Sequence, residues 1–262
     1  MSALLEAQAV TRRFGGLTAV NEVSFSVEQG SAVGLIGANG AGKTTLFNCL
    51  TGFDKPTSGD VRLRGKSLLT LSRHKVVGSG VARTFQIVKP FPDLPVLANV
   101  MVPLIVRRTK GDVKAEAMRV LHRVGLAHRA ASPSSQLSEG DLKRLEMARA
   151  LATGPELLLL DEPFAGLSTN EIGVLSDTIR QLKADGVTLV IVEHKIGSLL
   201  ALVDRVIAMD QGRVIADGEP EAVLRDPAVV RAYLGGDPTA ESEADSEADS
   251  AGPDDTEGTD GE

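Results

Sequence analysis

The sequence predicts an α/β fold built on a mixed sheet with an inserted helical unit, and three observations carry that prediction. Short alternating runs crowd residues 5 to 36, the spacing turns helical from about Pro90 to Leu151, and two buried-strand runs, ELLLLDEP and VTLVIVEH, then flank a helical segment. The chain has 262 residues, of which 42% are hydrophobic and 24% charged, enough for one large domain or two small ones.

In chain order, AVTRRF, VSFSVE and SAVGLIG read as strands punctuated by Gly and Asn. TTLFNCLTGF follows a Gly-rich turn with helical spacing and stops at Gly52. Pro56, Ser58 and Gly59 then predict a turn before the strand DVRLRGKSL. VKAEAMRVLHRVGL places Val113, Ala117, Val120, Leu121 and Val124 on one helical face, and DLKRLEMARALA does the same with Leu142, Leu145 and Leu151. ELLLLDEP and VTLVIVEH are apolar throughout, as strands covered on both faces of a parallel sheet must be, with the helix EIGVLSDTIRQLKADG between them. VIAMDQGRVIADGE reads as a hairpin turning near Gln211-Gly212, and PEAVLRDPAVVRAYLG as a terminal helical pair ending at Gly235. Beyond it the repeat ESEADSEADS is acidic and poor in apolar residues, so a disordered tail is expected over 237–262.

Charge separates that tail from the body. The net charge is -7, yet ten acidic residues lie beyond Thr239 with no Lys or Arg among them, which leaves 25 acidic against 28 basic residues upstream. A body so balanced, with no Trp, one Tyr and seven Phe, has neither the field nor the stacking surface of a nucleic-acid binder, so no nucleic-acid partner is expected. The lone cysteine, Cys49, excludes an internal disulfide or thiolate metal site and reads as a buried small residue in a reducing cytoplasm. MSALLEAQAVTRRF lacks a signal-peptide pattern and no run approaches the ~20 apolar residues of a membrane span, so the protein is expected to stay inside the cell without crossing the bilayer.

The chemistry begins at Gly37-Ala38-Asn39-Gly40-Ala41-Gly42-Lys43-Thr44, a G-x-x-x-x-G-K-[ST] loop between the strand AVGLI and a helix. Small residues let backbone N–H groups close around phosphate oxygens, Lys43 can reach the β- and γ-phosphates, and the Thr44 hydroxyl can ligate Mg²⁺. LLLLDEP delivers Asp161 and Glu162 from the polar end of an apolar strand, where Asp161 would hold the Mg²⁺ shell and Glu162 would polarise the attacking water. The next strand ends in Glu193-His194, and His194 there could bridge the γ-phosphate and the water. Leu137-Ser138-Glu139-Gly140-Asp141 opens a further helix, placing a hydroxyl and a Gly N–H at a second anion-binding N-terminus.

At these residues the sequence resembles the ATP-binding cassette (ABC) family over residues 1 to about 236. The resemblance implies that Phe14 meets the adenine ring, that Thr45 joins the phosphate loop in holding nucleotide, and that Gln86 is a Q-loop residue serving both metal and catalysis. It further implies a signature at 137–141, a Walker B strand at 157–162, a D-loop near 165–168 and His194 as the switch. The usual signature has Gly where Glu139 stands and Gln where Asp141 stands, and the D-loop ends in Ser168 where Asp is usual. FGGLTAVNEVSF, FNCLTGFDKPTSG, ARTFQIVKPFPDLPVLANV, LLLLDEPFAGLS and DPAVVRAYLG further resemble the ATPase subunits of branched-chain (hydrophobic) amino-acid importers.

The expected architecture is therefore a P-loop ATPase core over 1–88 and 156–236, a helical subdomain over 89–155, and the acidic tail. Two such subunits, as a homodimer or a heterodimer with a second ABC ATPase, would sandwich two MgATP. Each site would join Lys43, Thr44, Gln86, Asp161, Glu162 and His194 of one chain to Ser138 and Gly140 of the other. Lacking its own span, the chain would sit on the inner face of the cell membrane against integral permease subunits, with Phe91 and Leu94 in the Pro-rich stretch after Gln86 as candidate contacts. Two alternatives remain: a soluble ABC ATPase acting on nucleic acid or ribosomes, and a regulatory subunit that binds ATP without turnover.

Overall fold

The computed structural model describes residues 3–85 and 90–234; Gln86 and the expected tail lie outside the described residues. Two long strands, β1 (Ala3–Phe14) and β2 (Leu17–Glu28), precede β3 (Ala32–Ile36) and helix α1 (Lys43–Leu50). After them come β4 (Ser58–Leu63), β5 (Lys66–Ser67), α2 (Arg73–Gly78) and β6 (Val81–Arg83). Helices α3 (Val96–Val106), α4 (Val113–Arg123) and α5 (Glu139–Ala152) lie between β6 and β7 (Leu157–Asp161). The chain continues through α6 (Thr169–Ala184), β8 (Thr188–Val192), α7 (Ile196–Leu200), β9 (Arg205–Asp210), β10 (Arg213–Gly218), α8 (Pro220–Leu224) and α9 (Pro227–Leu234).

The strands form two sheets. The smaller is antiparallel, ordered β2-β1-β4-β5; the larger is ordered β10-β9-β3-β8-β7-β6, with every neighbour parallel except β10 on β9. Strands β3, β7 and β8 are buried at every residue, which explains their unbroken apolar sequence. Their register puts Leu35 and Asp161 level with Val192, so the loops after β3, β7 and β8 leave the same carboxyl edge of the sheet.

Side chains alternate between the faces of that sheet and divide the core in two. Leu158, Leu160 and Ile191 pack with Leu104, Leu121, Leu145 and Ile179 of the helices, whereas Leu157, Leu159 and Val190 pack with Phe47, Leu50 and the small sheet. The helical segment thus shares one apolar cluster with a face of the larger sheet. On α4, Asp112 caps the N-terminus by accepting from Lys114 and Ala115, and Ala117, Val120 and Leu121 point inward as the spacing predicts. Cys49 is buried, and burial pushes its thiol up to about 11.

Two sequence expectations need correction. Ser58 and Gly59 belong to β4 rather than to the turn before it: Gly59, at φ 86, lies opposite the bulge of β1 at Ala9 and Val10, where an added Cβ would stand 2.2 Å from the Ala9 carbonyl. Helix α2 and strand β6 were not foreseen as separate elements; with six and three residues they are too short to display a period. The β9–β10 hairpin, by contrast, turns at the expected pair, with Gln211 and Gly212 at φ 44 and 77 as a type I′ turn requires. No helix among the described residues is long and apolar enough to cross a membrane.

Candidate active site

The loop between β3 and α1 is built by close backbone approach. A Cβ at Gly37 would stand 2.4 Å from the Met209 carbonyl, and one at Gly42 2.3 Å from that of Ala19, with Gly42 itself at φ 98. Glycine is what the path permits at both. The β9–β10 turn braces the loop: Gly212 N–H donates to the Ala41 carbonyl at 3.0 Å while its own carbonyl accepts from Asn21 N–H at 2.8 Å. Asn39 and Gly40 are exposed at the tip, Thr44 is exposed and Thr45 half-buried. No side chain caps α1 and no acid stands in its first turn, so its N–H groups keep their positive end.

Lys43 is buried, its Nζ donating to the Gly37 carbonyl at 2.6 Å and to that of Ala38 at 3.0 Å. Burial lowers its pKa, opposed by the carboxylates of Glu162 and then Asp161, which brings the lysine and both Walker B acids into one electrostatic neighbourhood. Asp161, at the end of β7, accepts from Arg83 at 2.5 Å, and its N–H donates to the Thr84 hydroxyl at 3.3 Å. Glu162 adopts φ 47, rare for a non-glycine residue, and its N–H donates to Val192 at 2.9 Å. Such strain costs of order 1–3 kcal/mol and concentrates at functional sites. His194 Nε2 lies 3.4 Å from Glu162 Oε1. Beneath them Glu193 is buried, and burial together with the Glu162 carboxylate pushes its pKa up to about 7.

Ser138 and Gly140 gather elsewhere. Ser138 caps α5, its hydroxyl accepting from Asp141 N–H at 3.2 Å. The Asp141 carboxylate is paired with Arg144 and lies 3.7 Å from Arg129, so its charge is spent within the chain. Ser168 opens α6 with a capping box to Glu171. Ser168's hydroxyl and N–H hold Glu171 below the usual carboxylate range, and a Cβ on Gly140 would stand 2.9 Å from Glu171 Oε1. Phe14, at the end of β1, is 45% exposed, with the Arg12 guanidinium 4.5 Å from its ring centre.

A cavity of about 1050 Å³ opens beside the loop, lined by Thr44, Arg83, Asp161, Val102, Glu146 and Arg149 among others. Phe91 and Leu94 are half-exposed but do not line it; the Phe91 ring instead carries the Arg149 guanidinium at 5.2 Å. Glu146 accepts from Phe85 N–H at 2.6 Å and is pushed by burial up to about 6. No role for Arg83, Glu146, Glu171 or Glu193 can be read from the sequence. The first two act across elements distant in the chain, and no local pattern marks such partners.

Thr44 and Asp161 open on the same cavity, and a hydroxyl with one carboxylate suits Mg²⁺, which keeps water and phosphate as its other ligands. No group of three His, Cys, Asp or Glu among the described residues could hold a metal alone.

The ABC transporter family model matches residues 20–165, and the model for branched-chain amino acid ATP-binding cassette transporters matches residues 213–239. The high-affinity branched-chain amino acid transport ATP-binding protein LivG of Salmonella typhimurium is 40% identical over 249 residues, covering 88% of this chain and 98% of the relative. A solved ATP-binding cassette of an ABC transporter in its ADP conformation superposes with a TM-score of 0.81 at 32% identity, over 90% of this chain and all (100%) of the other. A dimeric cassette in a post-hydrolysis state bound to ADP and Pi gives 0.73 at 27% identity, over 82% and 98%. With a braced phosphate loop, a strained glutamate and a histidine on one sheet edge, this chain belongs to the ABC transporter family as an ATP-hydrolysing cassette.

Proposed function

We propose that the chain powers a membrane importer of branched-chain or other hydrophobic amino acids, working as one of a pair of ATPase subunits against integral permease subunits on the inner membrane face. The observation that carries the ATPase half is the convergence of Lys43, Asp161, Glu162 and His194 on one carboxyl edge; the substrate class is supported by the match at residues 213–239 and by the name of the LivG relative. Pairing is supported by the dimeric cassette of like fold.

In this reading the loop N–H groups from Gly37 to Thr45 bind the phosphates at the positive end of α1, and Lys43 exchanges two carbonyls for phosphate oxygens. Phe14 offers its exposed ring to the adenine. Thr44, Asp161 and Gln86 would hold Mg²⁺, which when bound would neutralise charge on the phosphates. Glu162, oriented by its strained backbone and by His194, holds the attacking water and takes its proton. Ser138 and Gly140 serve the partner's nucleotide, and the apolar side of the 1050 Å³ cavity, at Val102, Pro103 and Val106, receives a permease element.

The test is Glu162→Gln in the chain assembled with its permease. It should bind ATP within about threefold of wild type while phosphate release and uptake of a hydrophobic amino acid fall by at least ~10³-fold. Wild-type turnover in that variant overturns the role of Glu162, and wild-type hydrolysis that drives no hydrophobic amino-acid uptake overturns the substrate class.

A further inference from the structure

Arg83 is an enclosed cation beside the nucleotide site. It ends β6, and its side chain and that of Asp161 are each 6% exposed. One terminal nitrogen donates to Asp161 Oδ2 at 2.5 Å and the other to Asn48 Oδ1 at 2.6 Å, tying β7 to α1. The guanidinium carbon lies 5.5 Å from the ring centre of Phe47, 5.3 Å from Phe85 and 5.9 Å from Phe53, while the Phe53 and Phe85 rings meet edge to face. Its Nε is buried without a hydrogen-bond partner.

An arginine does not give up its charge, and a buried charge is tolerated only when paired. Here the partner is the carboxylate that the nucleotide-site reading assigns to Mg²⁺, and both side chains open on the cavity that Thr44 also lines. We infer that Arg83 is a positioning residue that serves as the internal counter-cation of Asp161, a duty it shares out with Mg²⁺ when the metal enters with nucleotide. The inference rests on that reading of Asp161.

Asp161, Glu162 and Glu193 put three carboxyl groups on the edge that faces the phosphate loop, where Lys43 meets the first two and Lys195 the third. Metal-free ATP would bring four more negative charges to them. Arg83 already neutralises Asp161, so it lessens repulsion when no divalent ion is present. Once Mg²⁺ is bound, the ion supplies the same compensation and Arg83 becomes largely redundant to affinity. A merely structural arginine would instead weaken binding equally in both conditions.

The experiment measures equilibrium binding of a fluorescent ATP analogue to the full chain, in EDTA and in excess Mg²⁺. Arg83→Met, which retains an unbranched stem against the three rings, should bind about tenfold more weakly than wild type in EDTA and within about threefold in Mg²⁺. Arg83→Gln, neutral but able to meet Asn48, should show the same widened ratio, and Arg83→Lys a ratio within about twofold of wild type. Asn48→Ala, which removes a contact but no charge, should leave the ratio unchanged. Equal losses in the two conditions, or full EDTA affinity in a folded neutral variant, overturn the inference. Failure of wild type to bind in either condition would instead overturn the nucleotide-site reading itself.

Discussion

Two helix N-termini in this molecule follow small-residue loops, and they are prepared in opposite ways. At α1 nothing caps the helix and no acid stands in the first turn; the only charge folded into the loop is its own Lys43. At α5 the Ser138 hydroxyl has already taken an N–H, and Glu139 and Asp141 occupy the first turn, with Asp141 turned onto Arg144 and Arg129. Both ends carry the same backbone dipole, so their capacity for an anion is decided by what has already claimed the N–H groups. The α1 end can hold phosphate within one chain. At the α5 end the Ser138 hydroxyl already accepts an N–H and the Gly140 N–H is held by the Glu171 carboxylate, so this end is the less open to an anion within the chain.

The harshest way to break this contrast is Gly42→Ala. The substitution forces a Cβ to 2.3 Å from the Ala19 carbonyl at φ 98, so ATP affinity should fall by at least ~100-fold in an equilibrium titration. Affinity within threefold of wild type would show that the α1 end tolerates a side chain.

A gentler probe addresses the acids opposite α1. Because Glu193 holds its proton up to about 7, against 4.5 for an ordinary glutamate, the folded protein binds more protons than the unfolded chain between those values. Stability therefore falls as pH rises through that window. Glu193→Gln should stabilise the protein by about 2 kcal/mol at pH 8, with the gain fading as pH falls through 7 and vanishing below ~4.5. Denaturant midpoints across pH would read this, and a gain independent of pH would remove the charge explanation.

The smallest effect sharpens the α5 side. Ser138→Ala removes the cap and should cost about 1 kcal/mol of stability, while ATP affinity of the single subunit stays within twofold and turnover falls about tenfold. Unchanged turnover with lost stability would reduce Ser138 to a cap alone.

What could be read in the sequence was what is local. The phosphate loop, the continuous apolar runs of β7 and β8, and the Gln211-Gly212 turn each carry their conformation in a few adjacent residues, and each lies where expected. Gly59 misled because a glycine with positive φ serves a strand pressed against its neighbour's bulge as well as a turn. The Arg83–Asp161 and Glu146–Phe85 contacts join residues 78 and 61 positions apart, and follow from the pairing of β6 with β7 and the packing of α5 beside them. For the same reason Phe91 and Leu94, prominent in sequence, do not line the cavity.

The brace of Gly212 against Ala41 also has a temporal meaning. Strand β3, which launches the phosphate loop, is bordered by β8 and β9, and its loop is held by the turn after β9. A ribosome releases the loop early and its neighbours late, so a nascent chain carries the phosphate-binding sequence long before it can carry the site. Contacts of such sequence separation slow folding. They also mean that the loop gains its Gly212 brace only after the β9–β10 turn has been made.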